Sequence, residues 1–403
     1  MAWLQTTLRL VSILCLVAAS STARSQPVPL RIGVLGDQSG PYAAIGGPGA
    51  VLAAQMAVSD FGGQVLGRKI EIVSADMQNK PDLASGIARK WFDVENVEAI
   101  VDLPTSSVAL AVNEVGREKK KLVFVTAAST DDLTGSACSP YTIQMLEDAH
   151  ALAVGTAKAV VATGGTSWFF LTPDFAFGHA MEKAGREAIE SAGGKVLGSV
   201  QYPISTTDFA SYLVTASSSP AKVIGISGVG GGAISVVKQA VEFGVTDNQR
   251  RLAIFLQFIT DIEGLGLASS HGLYTTDGFY WDENEQARSW SKRFMARHGK
   301  MPTKVQAYTY AVVLHYLKSV AASNTIDSDQ VRAKMSELNL DLFGNAASIR
   351  SNGRAIYDLT LYEVKTPAES KYPWDYYKPV RRIPAIEAFG AESDNRCKLR
   401  VAR

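Results

Sequence analysis

Three hydroxyl side chains, Thr105, Ser106 and Ser129, stand where a chain can grip an anion. In the stretch VDLPTSSVALAV, residues 101–112, Pro104-Thr105-Ser106-Ser107 separates a run that reads as a strand from one that reads as a helix. Hydroxyl donors there are backed by the unpaired N–H groups and positive pole of the helix start. Such a junction can hold a carboxylate, with about 0.3–1 kcal/mol from the dipole and about 1.5–3 kcal/mol per charge-assisted hydrogen bond. Ser129, beside Ala128, follows the next strand and can donate from a second direction. Thr105 or Ser106 can instead simply N-cap its helix, worth about 1 kcal/mol. Residue types alone leave both readings open.

Rings offer the complementary chemistry. Phe175 and Phe177 follow a strand in the second half of the chain, and Tyr42 follows the first strand. Aromatic faces across a cleft suit a flat apolar ligand, although each ring can equally fill a core. GVGGGA, residues 228–233, matches the dinucleotide pattern G-x-G-x-x-A. The next strand lacks the acid that would hold a ribose, so a tight turn or close backbone approach is the better reading. The five histidines form no metal-spaced pair, no CxxC occurs, and no nucleophile meets a base and an oxyanion hole. No metal, cofactor or enzymatic activity is expected.

Parallel strands would position these residues. From Leu30 short apolar runs alternate with amphipathic ones: strands at LRIGVLG, RKIEIVSAD, VEAIVDLP and KLVFVTA, helices over 50–61, 83–92 and 108–118. The alternation restarts after a break near residues 141–149, with strands TSWFFLTPD, KVLGSVQYP, AKVIGISG and RLAIFLQF. Two such series predict two α/β lobes with parallel sheets and crossover helices. Ligands bind beyond the carboxyl ends of such strands. Three further helices are predicted over 287–297, 305–322 and 329–337. GRAIYDLTLYEVK alternates like an antiparallel strand, and a polar tail closes the chain.

The bulk properties set the setting. Residues 1–25 read as a secretory signal peptide, with Arg9, an apolar run from Leu10 to Ala19 and small residues after it. No later stretch has the roughly 20 apolar residues of a membrane span, so a soluble export product is expected. The formal charge of +1 becomes −1 without Arg9 and Arg24, which argues against nucleic acid as a partner. Cys138 and Cys397 remain for an oxidising compartment, either bridged or as two separate thiols.

The stretches RIGVLGDQSGPYAAIGGPGAVLAAQMAVSDFGG, IVDLPTSSVALAV, LTPDFAFGHA, AKVIGISG and QAVEFG resemble the extracytoplasmic solute-binding proteins of ABC importers. The nearest group is that of the Leu/Ile/Val-binding proteins, and the resemblance spans about residues 29–390. It implies the type I periplasmic-binding fold: two Rossmann-like lobes joined by three crossing strands, closing on a ligand. Lobe 1 would hold residues 26–144 and 284–345, and lobe 2 residues 145–283 and 346–403. It also implies a periplasmic monomer with a membrane permease as partner.

In that group, hydroxyls matching Thr105 with Ser106, and Ala128 with Ser129, hold the ligand carboxylate. A tyrosine matches Phe177. The departures are informative. Val229-Gly230 stands where a second tyrosine is expected, and Gln257-Phe258 near the place of the glutamate that holds the ammonium. A buried ammonium without an anion would cost several kcal/mol. An aromatic acid of the benzoate or phenylpropenoate type is therefore expected, held by Tyr42, Pro104, Thr105, Ser106, Ala128, Ser129, Phe175, Phe177, Val229 and Phe258, with Gln257 meeting a ring hydroxyl. A branched-chain amino acid or a short amide is the alternative ligand, and a ligand sensor the alternative role.

Overall fold

The computed structural model describes residues 27–246, 250–392 and 396–399. The signal peptide expected over residues 1–25 lies outside the described residues. The first six strands are β1 (Leu30–Gly36), β2 (Gln64–Val65), β3 (Arg68–Asp76), β4 (Val97–Asp102), β5 (Leu122–Val125) and β6 (Thr142–Gln144). They form one sheet in the order β2-β3-β1-β4-β5-β6. All neighbours are parallel except β2 with β3. Helices α1 (Gly47–Phe61), α2 (Pro81–Asp93) and α3 (Ser106–Lys119) make the crossovers. Strand β4 is buried at every residue, as a strand covered on both faces must be.

The second sheet carries β7 (Ser167–Pro173), β8 (Lys195–Tyr202), β9 (Val223–Ile226), β10 (Arg251–Ile254) and β11 (Tyr274–Asp277). Its helices are α4 (Ala149–Ala162), α5 (Ala176–Ser191), α6 (Ala210–Ser218), α7 (Gly231–Glu242), α8 (Ile259–Leu265) and α9 (Leu267–Ser270). The chain then returns to the first sheet. Of α10 (Glu285–His298), α11 (Lys304–Ser323) and α12 (Ser328–Glu337), the first two pack on α1 and the third on α11. Three short strands, β12 (Leu340–Leu342), β13 (Asn345–Ile349) and β14 (Ala355–Ile356), form a small antiparallel sheet beside α11 and α12. Finally β15 (Leu359–Val364) and β16 (Tyr377–Ile383) extend the second sheet antiparallel, giving β16-β15-β11-β10-β9-β7-β8, before α13 (Ala385–Phe389).

The architecture is the two-lobed α/β fold expected from the alternation. Two of the elements that the pattern does not signal, α4 and β16, show why. Helix α4 buries eleven of its fourteen residues and so lacks the polar stripe by which a helix is read. Strand β16 hides in the polar tail because it is a sheet edge: Pro379, Arg381 and Arg382 face outward and discourage edge pairing. Cys138 and Cys397 are bridged, with Cα atoms 5.6 Å apart.

Candidate ligand-binding site

Strand ends and helix starts from both sheets converge on a cavity of about 470 Å³, a size suited to a small organic molecule. Lobe 1 supplies the loops after β1, β3, β4 and β5, and lobe 2 those after β7, β8, β9 and β10. Tyr42, Pro104, Thr105, Ser106, Ala128 and Ser129 line the first wall, and Phe175, Phe177, Val229 and Phe258 the second. Gln257 does not line it. That side chain is 1% exposed, and neither its Nε2 nor its Oε1 has a partner.

Thr105 answers the question its sequence position raises. It occupies the N-cap position of α3 with extended backbone (φ −118°, ψ 140°), yet its side chain makes no capping hydrogen bond. Its Oγ1 is buried without a partner, and so is the Oγ of Ser129. Both hydroxyls, each on a cavity-lining residue, are therefore free to donate to a ligand beside the start of a fourteen-residue helix. The loop bearing Ser129 is held from behind by Gln144, whose Nε2 donates to the carbonyls of Ala128 (2.9 Å) and Thr130 (3.0 Å).

The opposite wall is apolar: Phe175, Ala176, Phe177, Ile204, Val229, Leu256 and Phe258 are the lobe 2 residues that line it. Phe175 and Phe177 sit with ring centroids 5.9 Å apart. The Phe258 ring is backed by Lys304, whose Nζ lies 5.8 Å from the ring centroid. Gly230 has φ 63°, a left-handed value natural to glycine, and turns the chain tightly into α7. A Cβ there would stand 4.0 Å from the Tyr42 ring, so the two lobes approach closely at this rim.

Among the described residues, no charged side chain lines the cavity. Asp37, behind the lobe 1 wall, orients its neighbours: it accepts from the N–H of Gly40 (2.6 Å) and Tyr42 (2.9 Å) and from Asn79 Nδ2 (2.8 Å). Burial, and then the Asp37 charge, push the Tyr42 phenol above its ordinary pKa, so it stays a neutral hydroxyl. Asp261, pushed up to about 7 by burial, accepts from the Phe258 N–H (2.9 Å) and fixes that residue's backbone. Asp174 is exposed and pairs with His179 at 3.0 Å.

Asn79 is the polar lining residue that reading the sequence missed. It follows β3, and its signal is the one that marks Thr105 and Ser129, a polar side chain just beyond a strand's carboxyl end. Ile45, Ala176 and Leu256 were not recognisable, because apolar residues at such places are ordinary core.

A family model described as periplasmic binding protein matches residues 29–371. A periplasmic binding protein from Burkholderia mallei shares 45% identity, with a TM-score of 0.88 over 92% of this chain and 99% of that one. A branched chain amino acid ABC transporter periplasmic ligand-binding protein from Burkholderia xenovorans LB400 shares 39%, with a TM-score of 0.85 over 92% and 99%. An R. palustris ABC-transporter solute binding protein in complex with benzoate has the same fold at 20% identity (TM-score 0.81, covering 92% and 100%). Leu/Ile/Val-binding protein homolog 6 of Brucella abortus is 24% identical over 192 residues, 47% of this chain and 48% of that one. This chain thus spans about half the length of the curated relatives it matches. The chain belongs to the periplasmic binding protein family, whose members in ABC importers bind small molecules and work with membrane permeases.

Proposed function

We propose that this protein captures a small carboxylate with an apolar, aromatic body and presents it, unchanged, to the permease of an ABC importer. The observation that carries this reading is the Thr105 hydroxyl: it stands at a helix N-cap, makes no cap, and is buried at the cavity with Ser129 Oγ likewise unpartnered. Two hydroxyl donors and a helix start suit one anionic group, and the wall of phenylalanines opposite suits a ring. That the fold takes benzoate in the R. palustris protein is in keeping with this. Lobe closure would then follow from the ligand touching both walls, since a ligand favours a state only by its differential affinity for it. A second reading, a branched-chain amino acid, is favoured by the 39% identical Burkholderia xenovorans relative. Its ammonium would have no charged partner among the lining residues.

A thermal-shift panel separates the two. An aromatic acid at 100 times its Kd should stabilise by about 2.7 kcal/mol, whereas leucine should leave the melting temperature unmoved. Thr105→Ala should weaken the aromatic acid by about 1–3 kcal/mol in calorimetric titration, the worth of a hydrogen bond to a charged group. A melting shift with leucine alone would replace this reading with the second.

A further inference from the structure

Among the hydroxyls of the cavity's polar wall, which can both donate and accept, stands one side-chain oxygen that can only accept. Asn79 lines the cavity, and its Oδ1 is buried with no hydrogen-bond partner. Which way this amide faces is fixed by chemistry. Its Nδ2 donates to Asp37 Oδ2 at 2.8 Å, and that carboxylate, held by the N–H groups of Gly40 and Tyr42, can only accept. Flipping the amide would set two oxygens against each other, so Oδ1 is committed as an acceptor. The backbone agrees with a placed residue. Gln78 and Asn79 adopt φ of 51° and 55°, two consecutive residues in the left-handed region where asparagine is better tolerated than most. A buried acceptor left unpaired is unfavourable, and a ligand without a donor would leave it so.

We propose that Asn79 determines specificity: its Oδ1 accepts a hydrogen bond from an O–H or N–H group that the ligand carries besides its carboxylate. This rests on the reading that Thr105 and Ser129 hold a carboxylate, and it narrows the ligand class from plain aromatic acids to donor-bearing ones, hydroxy acids first. A hydroxyl satisfies a neutral amide oxygen without bringing an unpaired charge into a cavity lined by no ionised group.

Calorimetric titration of matched acids tests this: benzoate with its three monohydroxy isomers, and phenylacetate with mandelate and phenylglycine. In the wild type, at least one hydroxylated acid should bind about tenfold tighter than its parent, the worth of one neutral hydrogen bond. Asn79→Leu should abolish that preference, the hydroxylated acid losing about tenfold more affinity than its parent. Asn79→Gly, which keeps the left-handed backbone at ease, should do the same if the leucine variant misfolds. Tighter binding of phenylglycine than of mandelate, lost in both variants, would identify an ammonium as the donor. Parent acids binding as tightly as hydroxylated ones, or a preference that survives both variants, overturns the role of Asn79 and leaves the carboxylate reading standing. If no acid binds the wild type, the carboxylate reading fails and this inference with it.

Discussion

Asp102 shows how single residues in this site answer to burial as much as to chemistry. It ends β4 with φ 96°, is followed by Leu103 at φ 66°, and leads directly into the loop bearing Thr105. Its side chain is wholly buried, neither carboxyl oxygen has a partner, and a Cβ on Gly36 or Gly46 would collide with it. Burial first, and the Asp37 charge second, raise its pKa well above the ordinary value. Burial thus favours its protonated form, which does not repel an anion held three residues away. The unfolded residue ionises near pH 4, so above that pH folding takes up a proton at this site. The stability Asp102 allows is complete below pH 4, declines as pH rises above it, and is lost as pH passes the folded value. Asp102→Asn, whose side chain tolerates a positive φ, should stabilise the protein increasingly from pH 5 to pH 8. The slope gained is about 1.4 kcal/mol per pH unit for each full proton of difference removed. Urea unfolding of both proteins at the two pH values checks this, and a constant difference would mean that Asp102 is ionised. None of this is written in VDLP, because an aspartate at a strand end is ordinarily solvated. Thr105 was ambiguous for a related reason: capping and ligand-holding use the same hydroxyl, and only its rotamer decides between them.

Between elements, a buried ion cluster sits where the chain passes between the two sheets. Lys304 begins α11, Glu147 lies between β6 and α4, and Asp277 ends β11. Lys304 Nζ stands 3.4 Å from Glu147 Oε2 and 3.2 Å from Asp277 Oδ1, and donates to the Thr276 carbonyl at 3.2 Å. Glu147 Oε1 accepts from Tyr308 Oη (2.6 Å) and the Gly278 N–H (3.0 Å). Burial pulls the Lys304 pKa down, but Asp277 and Glu147 outweigh it and hold the ammonium charged. Burial drives Asp277 up to about 7 against the pull of Lys304, with Glu147 adding to the rise. Lys304→Met should destabilise by about 3–5 kcal/mol, since it leaves buried carboxylates without their cation. Adding Glu147→Gln and Asp277→Asn should recover most of that loss in urea unfolding. A triple variant as weak as the single one would place the loss in packing behind Phe258 instead. At this scale the sequence was most informative where an element has one wet face. Helices α10 and α11 and the crossovers of the first sheet were readable to within a few residues. Helix α4 and strand β16 were not, since one is apolar all round and the other polar along an exposed edge.

Across the whole molecule, the Cys138–Cys397 bridge joins residues 259 positions apart. It ties the tail that follows β16 of the second sheet to the connection between β5 and β6 of the first. That connection includes Ala127-Ala128-Ser129, so the bridge closes the segment that presents one of the two hydroxyls. The segment has other supports, however. Gln144 holds the carbonyls of Ala128 and Thr130, Asn113 Nδ2 donates to Ala137 O at 3.0 Å, and Asn352 Nδ2 donates to Thr134 O at 2.9 Å. These act on the folded chain alone, whereas a cross-link over so long a loop chiefly restricts the unfolded one. The two contributions predict different readouts. Replacing both cysteines by serine should lower stability by about 2–4 kcal/mol in urea, while affinity for a bound carboxylate changes by less than about threefold, under 1 kcal/mol. A tenfold loss of affinity with the melting temperature nearly unmoved would reverse the assignment and make the bridge, rather than Gln144, the part that keeps Ser129 facing the cavity.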